Sequence, residues 1–307
     1  MSADSQNDRK ASGHATPSYE FATSDELQQL LSGMFESPDY KPPVLPSVAL
    51  ELAELTKKPN ASYDEVVSVL QNDPLLVASV MKIAQSSLFG GRLQSLQNAV
   101  QRLGINTLRD IVWQVAAGVR LFSVQSYAPI MQRLRMHSIF TAYAARMIAT
   151  RAGLAAEHSF LCGLLHDMGI TGTLLALGNS GPHSAPPLTT LLAAIDGVHE
   201  QAGASIARLW QLAPEIVAAI EYHHRYHPDV PDVPVLSAVI CVAENLAEAQ
   251  GFGVSAPSVS GSRSVRFDTQ GSTQLEHSLK RLRLHGKQDD LAKRGEELAA
   301  QLRGILQ

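Results

Sequence analysis

Seven residues of metal-ligating type recur through one stretch of this 307-residue chain: His137, His166, Asp167, His199, His223, His224 and Glu244. The central pair closes the run Phe160-Leu161-Cys162-Gly163-Leu164-Leu165-His166-Asp167-Met168-Gly169, an apolar, helix-like segment ended by glycine. An ionised aspartate beside a histidine at the end of an apolar helix is costly to bury unless an opposite charge compensates it. A divalent metal is one such charge, because imidazole nitrogen and carboxylate oxygen both suit Zn, Fe or Mn. In the other reading Asp167 caps the next helix and His166 is a satisfied core histidine. The downstream histidines favour the metal. His223 and His224 are consecutive at a helix end and so point about 100° apart, an uncommon arrangement for surface residues. Taken singly, His137 reads as a helix-face histidine bonded to a backbone carbonyl, and His199 as a solvent-facing residue at a helix start. His14, His158, His183, His227, His277 and His285 read as surface residues, and Cys162 as core packing.

The elements that must position these groups are all helical. Apolar residues recur at three and four rather than at two, and no stretch alternates like a strand. Ser24-Asp25-Glu26-Leu27 opens a short helix closing near Met34, and Ser47 begins one through Leu55 after the stiff entry Lys41–Pro46. Ser62 and Glu65 form a capping box, and Asp73-Pro74 opens the next helix. Gly90-Gly91 breaks the chain. A helix from Ser95 to Leu103 ends at Gly104, and Asn106 caps another through Phe122. From Tyr127 to Ala152 a long helix puts His137, Thr141, Ala144 and Ile148 on one face. Further helices run to Ile195, from His199 to Trp210, from Glu215 to His224, and from Val235 to Ala249.

Four bounds follow from composition. An apolar content of 45% against 18% charged describes an ordinary globular chain with a real core. A net charge of −4 supplies no global pull towards nucleic acid or an anionic membrane. The clusters Arg263–Arg266 and Lys280–Arg283 are short and read as solvated faces, so neither partner is expected. No apolar leader is evident and no run reaches the roughly 18 apolar residues of a span, so the expected compartment is the cytoplasm. Cys162 and Cys241 suggest no disulfide framework.

Three motifs in the first half, Leu45-Pro46-Ser47, Asn72-Asp73-Pro74-Leu75 and Ala99-Val100-Gln101-Arg102-Leu103-Gly104, resemble in order and spacing the N-terminal helical part of HDOD (HD-related output domain) proteins. Ala84-Gln85-Ser86 stands where that family commonly has Ala-Asn-Ser. In the second half the order His137, His166-Asp167, His199, His223-His224, Glu244 resembles the HD-domain metal-dependent phosphohydrolases, and the later histidines resemble their HD-GYP branch in particular. The resemblance implies an all-α, multi-helix bundle of HD type with an N-terminal helical subdomain. The HDOD domain would span 23–250 (40–126 N-terminal, 127–250 HD-like), while composition and pattern mark a disordered tail at 1–22, a linker or mobile loop at 251–274 and a C-terminal helix at 275–307.

The resemblance also implies a site built from His137, His166, Asp167, His199, His223, His224 and Glu244. A helical bundle can project such ligands inward from facing helices. Asp167 would bridge two ions, with His166 and His199 on one and His223 and His224 on the other, and His137 a further ligand or a polariser of substrate. Water activated there would attack phosphorus. The chain departs from active HD-GYP proteins in three places. Ile170 replaces the lysine that meets substrate phosphate, Glu244 stands where an aspartate is usual, and Arg225-Tyr226-His227-Pro228 replaces the Gly-Tyr-Pro signature. Arg225 is the candidate replacement cation for ligand binding. The expected function is therefore a signal-transduction output or scaffold module, non-catalytic, binding a protein partner or a small nucleotide-like ligand, with a divalent metal (Fe, Mn or Zn) retained. The alternative is a metal-dependent phosphohydrolase acting on a nucleotide or cyclic dinucleotide. Oligomeric state stays open.

Overall fold

The computed structural model describes residues 23–306 apart from 45–46, 57, 59, 94, 123–124, 155–157, 179–187, 226–232 and 255–272. The expected tail at 1–22, most of the expected linker, the Arg263–Arg266 cluster, Leu45-Pro46, Tyr226 to Pro228, and His14, His183 and His227 lie outside the described residues. Among those described, every element is helical.

The N-terminal helices begin where local chemistry dictates. In α1 (Ser24–Glu36) the cap is Thr23 rather than Ser24, and Glu26 reaches back to the Thr23 N–H at 2.9 Å. After α2 (Ser47–Thr56), Ser62 opens α3 (Tyr63–Gln71): the Ser62 N–H donates to Glu65 at 2.8 Å and the Glu65 N–H to Ser62 Oγ at 3.1 Å. These reciprocal bonds satisfy donors that a helix start otherwise leaves unpaired. Asp73 accepts from the Leu75 and Leu76 N–H groups at the head of α4 (Pro74–Ala84). The two helices expected around Gly104 are present, joined end to end across a kink at Gly104 (φ 76°, ψ 162°), and are labelled together α5 (Leu96–Arg120).

The second half comprises α6 (Ala128–Arg151), α7 (Ser159–Leu165), α8 (Met168–Gly178), α9 (Leu188–Asp196), α10 (His199–Leu209), α11 (Pro214–Glu221) and α12 (Val235–Ala249). The expected single C-terminal helix is two, α13 (Thr273–Arg281) and α14 (Gln288–Leu306), parted by a turn with Arg283 and Gly286 in the left-handed region. Their leucines, among them Leu275, Leu279, Leu291 and Leu302, join the same buried cluster as α6, α7 and α12. The basic run there is largely engaged: Lys280 pairs with Glu276, and Arg281 donates to the Val233 carbonyl.

Three apolar clusters organise the bundle. One is formed within α2 to α5, one joins α6, α7 and α10 to α14, and a smaller one packs α1 on α6, α8 and α9. Helix α5 serves two of them, with Leu108 and Ile111 facing the first and Trp113 and Ala117 the second. Cys162 and Cys241 are buried free thiols; burial pushes the Cys241 thiol up to about 12, so packing is their role. One expectation is corrected. Ser159–Gly178 is long and apolar enough by composition to cross a membrane, but 72% of its most apolar window is buried inside the fold. That apolarity serves the bundle core, and the segment is broken at His166-Asp167.

Close approach around that break depends on two glycines. A Cβ at Gly163 would lie 2.6 Å from the Thr141 carbonyl oxygen of α6, and one at Gly169 would run into the His199 carbonyl of α10. Gly169→Ala is therefore expected to destabilise the protein by about 1–3 kcal/mol. Gly33→Ala, in open space on α1, is expected to stabilise it by roughly 0.5–1 kcal/mol. Chemical-denaturation midpoints of the two variants measure both effects.

Candidate metal centre

The bundle brings all seven expected donors to one place, from five helical segments. His137 comes from the middle of α6, His166 and Asp167 from the break between α7 and α8, and His199 from the first residue of α10. His223 and His224 follow α11, and Glu244 projects from α12. Their ligand atoms fall into two groups, each gathered within 4.8 Å: His137, His166 and Glu244 in one, and Asp167, His199, His223 and His224 in the other. The expected pairing put His166 with His199; in the structure His166 groups with residues of α6 and α12, while His199 groups with the histidines at the end of α11.

Asp167 stands between the groups. Its Oδ2 lies 3.6 Å from His137 Nε2 and 3.4 Å from His166 Nε2. Its Oδ1 lies 3.8 Å from His199 Nε2 and 3.7 Å from His223 Nε2. Glu244 Oε1 also reaches both sides, at 3.4 Å from His166 Nε2 and 3.8 Å from His224 Nε2. The extra methylene of glutamate thus leaves its carboxylate facing both groups.

Four of the rings are fixed in the same way. The Nδ1 atoms of His166, His199 and His223 face the carbonyls of Gly163, Asp196 and Ile220, each three residues earlier, at 2.6–2.8 Å. His137 Nδ1 faces the Phe252 carbonyl at 3.0 Å. A carbonyl oxygen only accepts, so Nδ1 carries the proton and Nε2 turns its lone pair inward. Yet His137 Nε2 lies 3.1 Å from His166 Nε2, and His199 Nε2 lies 3.3 Å from His223 Nε2. Two facing lone pairs at that distance repel unless a cation or a proton sits between them. Spacings of 3.1–3.8 Å among these donors fit the edges of a coordination shell with bonds of about 2.0–2.2 Å. The donor set therefore fits divalent metal.

In the protein's own charges a proton does part of that work. Burial opposes protonation of His166, but the Asp167 carboxylate, with help from Glu244, overcomes it and holds the imidazole well above its ordinary range. Burial would also raise Asp167, yet the His166 charge and hydrogen bond hold it well below the usual carboxylate range. Burial likewise works against ionisation of Glu244, which its bond to His166 brings down to about 2. Burial, then His166, pushes His137 down, and burial lowers His224. Both carboxylates are thus ionised in the interior. Access is one-sided: the His224 side chain is 45% exposed and Glu244 14%, whereas the other five donors are buried.

Of the single-residue alternatives, a backbone-carbonyl partner does exist for His137, whereas His199 is buried rather than solvent-facing. His158 pairs with Glu215, His285 is exposed and His277 is half-buried. Ile170, at the place of the missing lysine, packs against the α1–α9 cluster. Arg225 is engaged: its Nε donates to Glu200 Oε2 at 2.8 Å.

Three positioning groups escaped the sequence reading. Buried Glu200 accepts from the His224 backbone N–H at 3.1 Å as well as from Arg225, and so pins the double-histidine turn. Its only advance signal was an acid next to a candidate ligand. Gln274 Nε2 donates to the His223 carbonyl at 3.0 Å, and Phe252 serves through its backbone.

Comparison with known proteins places this architecture. A family model described as HDOD domain matches residues 43–226, which includes every candidate donor except Glu244. A protein of Treponema pallidum (strain Nichols) without assigned function is 29% identical over 213 residues, 64% of this chain and 40% of its own length. A ribonuclease Y of Dehalococcoides mccartyi (strain CBDB1) is 24% identical over 58% of this chain and 28% of its own length. The chain thus spans less than half of either curated relative. A Shewanella amazonensis SB2B crystal structure, provisionally named a metal-dependent phosphohydrolase, superposes with a TM-score of 0.68 at 20% identity, over 92% of this chain and 99% of that one. A provisionally named signal transduction protein from Marinobacter aquaeolei VT8 gives 0.60 at 23% identity, over 92% and 66%.

Glu200→Ala is expected to destabilise the protein by about 1–3 kcal/mol, mostly through the unsatisfied His224 N–H, because the Arg225 ion pair is half-exposed. Glu200→Gln, which keeps an acceptor, is expected to cost less than half as much in a urea titration.

Proposed function

The chain belongs to the HDOD domain family, and on that premise we propose that it is a signal-output module: it binds a protein partner or small ligand and keeps a divalent metal centre without turning over a phosphoester. The observation that carries this reading is that, among the described residues, no uncommitted cation stands beside the donors to bind phosphate. Ile170 occupies the lysine position, and Arg225 is tied through Nε to buried Glu200. In this reading His137, His166 and Glu244 hold one ion, His199, His223 and His224 the other, and Asp167 is shared. Bound metal would polarise oxygen ligands and lower the pKa of water. The chain's own residues do the rest. The Nδ1–H bonds orient four imidazoles, the two carboxylates offset metal charge, and the α7–α8 break holds the aspartate between the groups.

A second reading, metal-dependent hydrolysis of a phosphodiester, is favoured by the completeness of the donor set and its one-sided opening at His224. The ribonuclease Y relative and the provisionally named phosphohydrolase neighbour lean the same way, at low identity.

Elemental analysis of anaerobically purified protein, beside a His166→Ala, Asp167→Ala double variant, separates these readings from a metal-free one. The wild type is expected to carry about one to two equivalents of Fe, Mn or Zn, and the variant to lose most of them. The loaded protein is then assayed on cyclic dinucleotides, nucleotides and single-stranded RNA. No turnover above the double variant supports the signalling module. Metal-dependent turnover replaces it with the hydrolase, and absence of metal from the wild type removes both metal readings.

A further inference from the structure

Both tryptophans of the chain, Trp113 and Trp210, stand in the wall of a single cavity of about 760 Å³. It lies where the entry segment Lys41–Val44, α2 and α5 of the first half meet α7 and the α10–α11 turn of the second, and none of the seven candidate metal donors lines it. Its volume is within the roughly 300–1,000 Å³ of small-molecule sites.

The wall is built rather than incidental. Trp210 Nε1 donates to the Pro43 carbonyl at 2.9 Å, tying the entry segment to the α10–α11 turn. In that turn Gln211 adopts φ 55°, a left-handed conformation uncommon outside glycine and concentrated at functional sites. The rim keeps large apolar side chains in water: Val44 is 76% exposed, Leu50 40% and Leu209 52%. Exposed apolar residues gathered round one opening mark a binding site more often than scattered ones do.

The polar groups of the wall are mostly donors. Trp113 is buried, and its indole N–H has no acceptor among the described residues. Lys41, exposed at the mouth, makes no ion pair among the described residues. Arg109 lies against Asp110, and His158 against Glu215. Glu54 is the one carboxylate among the described lining residues. An apolar floor with Lys41 exposed at the mouth suits an occupant with an apolar body and an acidic head.

We infer that this cleft binds a small amphipathic anion, a carboxylate carried on an aliphatic or aromatic body. The inference deepens the reading of the chain as a ligand-binding output module and rests on that reading, but it does not depend on the metal centre. Such a ligand would touch α7 and α11 through Leu161 and Ile216, the two helices that end at His166 and just before His223.

Because both tryptophans line the cleft, selectively excited tryptophan fluorescence reports on it. The full chain is titrated with dodecanoate, dodecanol and dodecyltrimethylammonium, each below its micelle concentration. Dodecanoate is expected to give a saturable change with one site per chain and a Kd below about 100 μM, with the alcohol and the ammonium at least about tenfold weaker. Lys41→Glu is expected to weaken dodecanoate about fivefold without moving dodecanol. Leu209→Glu is expected to weaken both; each substitution is at an exposed position, and circular dichroism checks the fold. No saturable change, equal binding of all three probes, or indifference to Leu209→Glu overturns the inference. Metal content measured on the same samples shows whether the metal reading fails with it or stands apart.

Discussion

Asp167 is a carboxylate buried in a helical bundle, and the interior cannot tolerate it uncompensated. Four imidazole Nε2 atoms surround it within 3.4–3.8 Å, and each reaches it from a different helical segment. The need to neutralise this one group therefore ties α6, the α7–α8 break, the start of α10 and the end of α11 to a common point. Glu244 adds a second acid from α12 and raises the same requirement on the other side. A divalent metal would answer both at once, and His166, which Asp167 holds well above its ordinary range, answers part of it.

The backbone meets that requirement by repeating a small device. Three of the histidines sit at helix ends and bond through Nδ1 to the carbonyl three residues before. The terminal turn of a helix leaves such carbonyls without an amide partner, so the same bond closes the helix and aims the ring. The glycines serve the same geometry. Gly163 lets α7 lie against the backbone of α6, Gly169 lets α8 approach the His199 peptide, and Gly163 also supplies the carbonyl that orients His166.

Much of this was legible in residue types. Ser62 with Glu65, and Asp73 with Pro74, announced their helices because capping is local chemistry. That the seven candidate residues would converge was legible in their order along the chain, which resembles that of the HD-domain phosphohydrolases. Their division into two groups was not, since it depends on how helices cross rather than on their order. Glu200 looked like an ordinary first-turn acid, and Phe252 acts through a carbonyl that carries no trace of its side chain. The second C-terminal helix was hidden by a turn in which Arg283 takes a conformation more typical of glycine. The tryptophan-lined cleft was invisible because its two walls come from opposite halves of the chain.

The carbonyl that orients His137 lies 115 residues further along, and the amide that holds the His223 carbonyl lies 51 residues further along. Such contacts are formed late, because the closure entropy of a long loop must be met before they can reward it. During synthesis the ligand-bearing helices from α6 to α11 emerge before residues 252 and 274 do. The ring geometry at positions 137 and 223 is thus completed by the last third of the chain. A nascent or truncated molecule that has buried its apolar core would still present a loosely aimed set of donors, and their final geometry would be acquired only at the end of folding.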